Sequence, residues 1–197
     1  MSSPPTSGGR WRLALGVLAF AVLAPISLVG LPFAGLLVAA RPRTKGEWLA
    51  ALLAGGGSGA LLLTPASGLL DAFTRAWTVL VTVAFAASAV LRPARFWSLA
   101  LRACLYAAAG VTVVGRLVAG PGMWNAVQWD ATRGASSLVR QLVELAPPIY
   151  PLFEPAVRVL ARGWPVWLLL ETLAGLALAW QGHAVIARTP LGVVVNH

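Results

Sequence analysis

Few residues of this chain could do chemistry, and the most unusual of them is Glu171. It lies about seven residues inside an apolar run that opens at Trp164, roughly 10 Å deep by helical rise. An acid at that depth is costly and is usually paired or functional. Proton or cation coupling is the sharp reading, a structural ion pair the commoner one, and orientation toward a wet interface a third. Arg102 and Arg116 share another apolar run, and Asp71 and Arg75 stand near the start of a third. Glu171, Arg116, Arg75 and Asp71 thus form a candidate polar binding cluster in one half of a membrane, with paired or snorkelling structural charges as its plainer meaning. Runs adjacent in sequence are often adjacent in space, so Glu171 is expected to meet Arg116, with Arg75 as second candidate. His183 sits close to the end of its run, where an interfacial hydrogen bond is expected.

Other chemistries find no residues to carry them. A single cysteine, Cys104, rules out an intramolecular disulfide and a cysteine-based zinc site. His183 and His197 have no Cys, Asp or Glu at metal spacing, so no metal site is expected. Phosphate-binding, dinucleotide-binding, zinc-protease and serine-hydrolase motifs do not occur. The expectation is a protein that is not an enzyme and holds no cofactor. A net charge of +9 would suggest nucleic acid in a soluble protein. Here Arg10 and Arg12, then Arg41, Arg43 and Lys45, then Arg92 and Arg95 flank apolar runs, the pattern of topology signals. No nucleic-acid partner is expected.

The elements that must position these residues are membrane helices. Of 197 residues, 58% are hydrophobic and 11% charged, against roughly 25% charged in a soluble domain, and the mean hydropathy is +0.79. Trp11, Trp48 and Trp97 open apolar runs, Trp164 and Trp167 open another, and Trp180 lies near its end. Trp favours the bilayer interface, where its ring is apolar and its N–H meets water. The fold class is all-α: a polytopic transmembrane bundle with four to five spans, a broken or re-entrant first segment and an extramembrane amphipathic element.

Residues 1–12 read as a disordered polar and basic tail, and 13–119 as the N-terminal membrane helices. The run Leu13–Ala40 contains Pro25, Gly30 and Pro32, and a break between the prolines is expected. Basic clusters at both ends disfavour a single span. A hairpin with arms of about 12 residues, roughly 18 Å each, would keep both clusters on one side, provided other helices cover it. Both readings stay open, the hairpin preferred. Further spans run over about Trp48–Leu63, from Thr64-Pro65 to Leu91, and over Phe96–Ala119. In the first of these, Gly55 and Gly59 have the spacing of a close helix-packing face, with a broken helix as the alternative; Gly175 is a third packing glycine. Residues 120–163 differ. Leu138, Leu142 and Leu145, with Val139 and Val143, share one face and Arg140, Gln141 and Glu144 the other, an amphipathic helix stopped by Pro147-Pro148. Pro155 suits the start of a second short helix. This element either lies on the membrane surface or packs as an ordinary extramembrane loop. Residues 164–197 carry the last span and a short tail. Basic residues place 41–45 and 92–95 in the cytoplasm and 120–163 outside.

Three local features add a resemblance: the Arg41-Pro42-Arg43-Thr44 to Glu47-Trp48 junction, the run Leu173 to Trp180, and Arg188-Thr189-Pro190-Leu191-Gly192. They resemble the YybS-like family of uncharacterised polytopic bacterial membrane proteins, loosely over residues 10–192. The resemblance implies a multi-pass protein of the bacterial cytoplasmic membrane and no known reaction. Family members continue with further hydrophobic segments, which implies a bundle completed by others. The expected partners are therefore the lipid bilayer and a membrane protein or further copies of the chain. The expected function is a scaffold or accessory subunit of a larger membrane assembly; the alternative is a small-molecule or ion transporter, or its membrane-embedded binding subunit.

Overall fold

The computed structural model describes residues 26–92, 94–145 and 153–187. Among them every regular element is a helix: α1 Ile26–Ala39, α2 Lys45–Leu63, α3 Leu69–Leu91, α4 Phe96–Ala119, α5 Met123–Leu145 and α6 Phe153–Ile186. α2, α3, α4 and α6 are each long and apolar enough to cross a membrane. The chain is a multi-pass helical membrane protein. The expected tail over 1–12 and the first arm of the hairpin fall outside the described residues.

The helices pack in two groups that share α3. α1 sits at the centre of one group, against α2, α3 and α6. α3 and α4 form the tightest neighbouring pair, and α5 lies along α6 with its start against α3. Along α3 the buried positions Trp77, Val81, Phe85 and Ala89 recur every fourth residue, and α4 answers with Ala100, Ala103, Cys104 and Ala107. Small residues on α4 let the α3 backbone approach closely, the main source of helix adhesion in lipid. The turns around Arg41–Lys45 and Arg92–Arg95 share one end of the bundle with Ala187, here called the basic end. The turns at 64–68 and 120–122 form the far end.

Each junction has an identifiable device. α2 starts in a capping box: the Glu47 amide donates to Thr44 Oγ1 at 3.2 Å, and Glu47 Oε2 accepts from the Thr44 amide at 2.9 Å and the Arg43 amide at 2.6 Å. This satisfies amides that the first helical turn leaves without partners. α2 therefore begins at Lys45, before Trp48, and runs unbroken through Gly55–Gly59. The broken-helix alternative is not found there.

The prolines are the main departure from expectation. α1 passes through Pro32 without a break, and its 14 described residues cover about 21 Å. α6 passes through Pro165 and runs 34 residues, about 51 Å. The expected short helix after Pro155 and the last span are thus one helix, with no boundary at 163/164. A helical proline frees the carbonyl four residues earlier. At Pro165 that carbonyl is Ala161 O, and Gln128 Nε2 on α5 donates to it at 2.8 Å. Gln128 Oε1 in turn accepts from Trp164 Nε1 at 3.2 Å. At Pro32 the freed carbonyl is Leu28 O, and it faces Gly175. α5 also starts earlier than its amphipathic stretch suggests, with Met123, Val127, Ala131, Ala135 and Val139 buried every fourth residue.

Gln128→Leu is expected to cost about 1–3 kcal/mol, because Ala161 O is left without a donor in a low-dielectric setting. Thermal unfolding in detergent measures this; an unchanged midpoint would show that the proline is tolerated without Gln128. Topology is testable at Gly46 and Ser137, both exposed. Cysteines placed there are expected to label from opposite sides of the membrane, and labelling from the same side would refute the orientation.

Candidate functional site

The four residues of the expected polar cluster do not come together. Asp71 and Arg75 pair one turn apart on α3, Nε to Oδ1 at 2.9 Å and Nη2 to Oδ2 at 3.0 Å. Arg75 also donates to the carbonyls of Leu62 at 3.2 Å, Pro65 at 3.5 Å and Thr64, and Asp71 accepts from the Ser67 amide at 2.9 Å. The pair holds the α2–α3 turn. Loss of one guanidinium would leave three carbonyls and a carboxylate without it, so Arg75→Ala is expected to lower stability by about 2–3 kcal/mol. Hydrogen exchange localised to residues 62–71 is the check, and protection unchanged there would count against the role.

Glu171 meets neither arginine. It is partly buried on α6, and among the described residues it makes no ion pair and no hydrogen bond. Arg116 is exposed on α4 and equally unpaired. The expected Glu171–Arg116 contact fails because α6 returns against α1 and α5, and meets α4 only sparsely. His183 also departs from expectation: it is buried, 6.4 Å from the Trp180 ring, and its Nε2 has no hydrogen-bond partner among the described residues.

The packing glycines divide. A Cβ on Gly175 would stand 2.5 Å from Leu28 O, and one on Gly55 would stand 3.3 Å from the Ala34 Cβ. Both serve contacts inside the bundle. Gly56, Gly57 and Gly59 have nothing within 4 Å of an added Cβ.

Several polar groups at mid-bundle find partners, while Thr82 Oγ1 is buried without one among the described residues. Trp77 Nε1 donates to Thr172 Oγ1 at 2.9 Å, Thr172 Oγ1 donates to Leu168 O at 2.6 Å, and Thr78 Oγ1 donates to Thr74 O at 2.8 Å. Trp77, Thr172, Gln128 and Asp130 are not among the site residues expected from the sequence. Thr172 and Trp77 carry no sequence signal that separates them from other membrane Thr and Trp. Gln128 and Asp130, polar groups two apart on an amphipathic stretch, could have been noticed.

Two of the cavities between the helices exceed about 300 Å³, the lower bound of small-ligand sites. One, of about 640 Å³, is bounded by α1, α2 and α6, with Gly30, Phe33, Ala54, Gly57 and Gly182 among its walls. Apart from Ser58 its walls are apolar, and Glu171 does not line it. The other, of about 370 Å³, is lined by Phe73, Trp77, Cys104, Trp124, Trp164 and Leu168. Toward its far end stands an aromatic cluster in which Phe73 lies 5.6 Å from Trp124 and 5.4 Å from Trp164, ring centre to ring centre. Among the described residues no group of three His, Cys, Asp or Glu could hold a metal ion.

No family model, no curated protein and no solved structure matches the chain.

Proposed function

We propose that this protein is a non-enzymatic subunit of a larger membrane assembly, acting as a scaffold or accessory component through helix–helix contacts. The observation that carries the reading is α2. It packs on α1 and leaves Gly56 and Gly57 exposed, Gly57 at the open side of the cavity shared with α1 and α6, beside the exposed Leu49, Leu52 and Leu53. In lipid, exposed leucine costs nothing, but exposed glycine on a helix forgoes packing that a neighbouring helix would supply. A membrane-protein partner or a further copy of the chain fits that face. The resemblance to the YybS-like family supports a bacterial cytoplasmic membrane, with the basic end inside.

The transporter reading drew on a broken α2 and on a polar cavity reached by Glu171. An unbroken α2 and an apolar cavity beside its glycines favour the scaffold. Purification in mild detergent followed by native mass spectrometry tests it. The wild-type chain is expected to retain a partner subunit or a second copy, and Gly57→Leu to lose it at unchanged thermal stability. A wild-type chain that stays single, or a Gly57→Leu chain that keeps its partner, would overturn the proposal.

A further inference from the structure

Arg116 on α4 and Arg162 on α6 are exposed, and among the described residues neither makes an ion pair or a side-chain hydrogen bond. Both continue rows of residues that line the aromatic cavity of about 370 Å³. On α4 the row is Leu101, Leu105, Ala108 and Thr112, and Arg116 is its next position four residues on. On α6 the row is Pro165 and Leu169, and Arg162 is its next position three residues back. Residues spaced by three and four share a helix face, so one arginine tops each wall at the far end. The Arg116 side chain also leans toward the N-terminus of its helix, back over Thr112.

The cavity opens sideways. Leu101 and Leu105 on its wall are exposed at 52% and 69%, and its neighbours α4 and α6 meet only sparsely. In a membrane that opening faces hydrocarbon, so what enters comes from the bilayer. The apolar and aromatic walls accept a chain and reject a charge. At the mouth the preference reverses: two guanidinium groups, with the Thr112 hydroxyl and the Trp124 indole N–H free of partners among the described residues, match the oxygens of a phosphate. The volume falls within the roughly 300–1,000 Å³ of small-ligand sites.

We propose that this cavity is a lateral binding site for an anionic phospholipid, with one acyl chain between α4 and α6 and its phosphate held by Arg116 and Arg162. The site needs no assembly partner and does not depend on the function proposed above. Its test is quenching of tryptophan fluorescence by brominated acyl chains, because Trp77, Trp124 and Trp164 line the cavity. The full chain is placed in phosphatidylcholine vesicles with a minor fraction of brominated phosphatidylglycerol or, separately, of brominated phosphatidylcholine. Brominated phosphatidylglycerol is expected to quench at more than tenfold lower fraction, the combined worth of two basic residues. Arg116→Gln and Arg162→Gln should each reduce that preference on the order of fivefold, the worth of one basic residue beside an anionic headgroup. Ala108→Phe, at an exposed wall position, should remove the difference between the two lipids without unfolding the chain, leaving only the quenching of exposed tryptophans such as Trp48 and Trp97 that both lipids share. Equal quenching by the two lipids, a preference unchanged in both arginine variants, or full reversal by inorganic phosphate with Ala108→Phe silent would each overturn the proposal, the last by assigning the arginines to a free anion.

Discussion

Gly175→Val is expected to separate α1 from α6 and to cost about 3 kcal/mol, the upper part of the range for overpacking a close contact. The size follows from what stands opposite. A Cβ at position 175 would lie 2.5 Å from Leu28 O and 3.1 Å from the Leu28 carbonyl carbon. These are backbone atoms of a helix and cannot swing aside as a side-chain tip could. α1 is held by α2, α3 and α6 together, so retreat from α6 disturbs the other two contacts. The carbonyl stands free to face Gly175 because Pro32 offers no N–H to it. That makes a second, more specific expectation. Pro32→Ala restores a donor for Leu28 O within α1 and draws that oxygen back to its own helix. It should therefore offset part of the cost of Gly175→Ala, with a coupling of about 1 kcal/mol in a double-mutant cycle. Thermal midpoints of the detergent-solubilised chain give all four values. Gly57→Val, with nothing within 4 Å of its Cβ, is the control and should leave the midpoint in place. A Gly175→Val protein as stable as the wild type would remove this contact as the anchor of α1.

The same proline shows what could and could not be read from the sequence. Spans were legible because hydropathy and the ends marked by Trp and Arg are local properties of a run. The buried face of α5 was not: Leu138 and Leu142 of the expected apolar face are exposed, and the helix buries the row Val127, Ala131, Ala135 and Val139, most of it small residues whose hydropathy does not mark a face. A helix continuing through Pro32 or Pro165 was not, because what faces each freed carbonyl is distant in sequence: Gly175 leaves room opposite Leu28 O, and Gln128 donates to Ala161 O across 33 residues. Judged alone, each proline looks like a break. The Glu171–Arg116 pairing failed through a related gap. Chain order made the spans that carry them neighbours, but α5 intervenes between the two and lets α6 return against α1. Asp71 and Arg75, four residues apart on one helix, needed no such information, and they do pair.

Asp130→Ala is expected to free the start of α5 from the bundle, at a cost of about 3 kcal/mol. Asp130 Oδ2 accepts from the amides of Leu69 at 2.6 Å and Leu70 at 3.2 Å. These belong to the first turn of α3, whose amides have no partner within their own helix. The residue at the cap position is Gly68, which has no side chain to serve them. Asp130 therefore caps α3 from another helix, 61 residues away from Leu69. Its carboxylate also meets the positive end of the α3 dipole. Hydrogen bonds to a charged group are worth about 1.5–3 kcal/mol each, and two are lost together. Asp130→Asn keeps an acceptor oxygen without the charge and should cost about half as much. Gly68 is part of the same fit, because a Cβ there would run into the Asp130 carboxylate. Gly68→Ala should consequently destabilise the wild-type chain and be nearly neutral once Asp130 is alanine. Hydrogen exchange at the Leu69 and Leu70 amides reads the bonds directly, and limited proteolysis within 123–145 reads the release of α5. Exchange at both amides unchanged in Asp130→Ala would mean that water or a neighbouring group serves them equally well, and α5 would then be held by its buried face of Met123, Val127 and Ala131 alone.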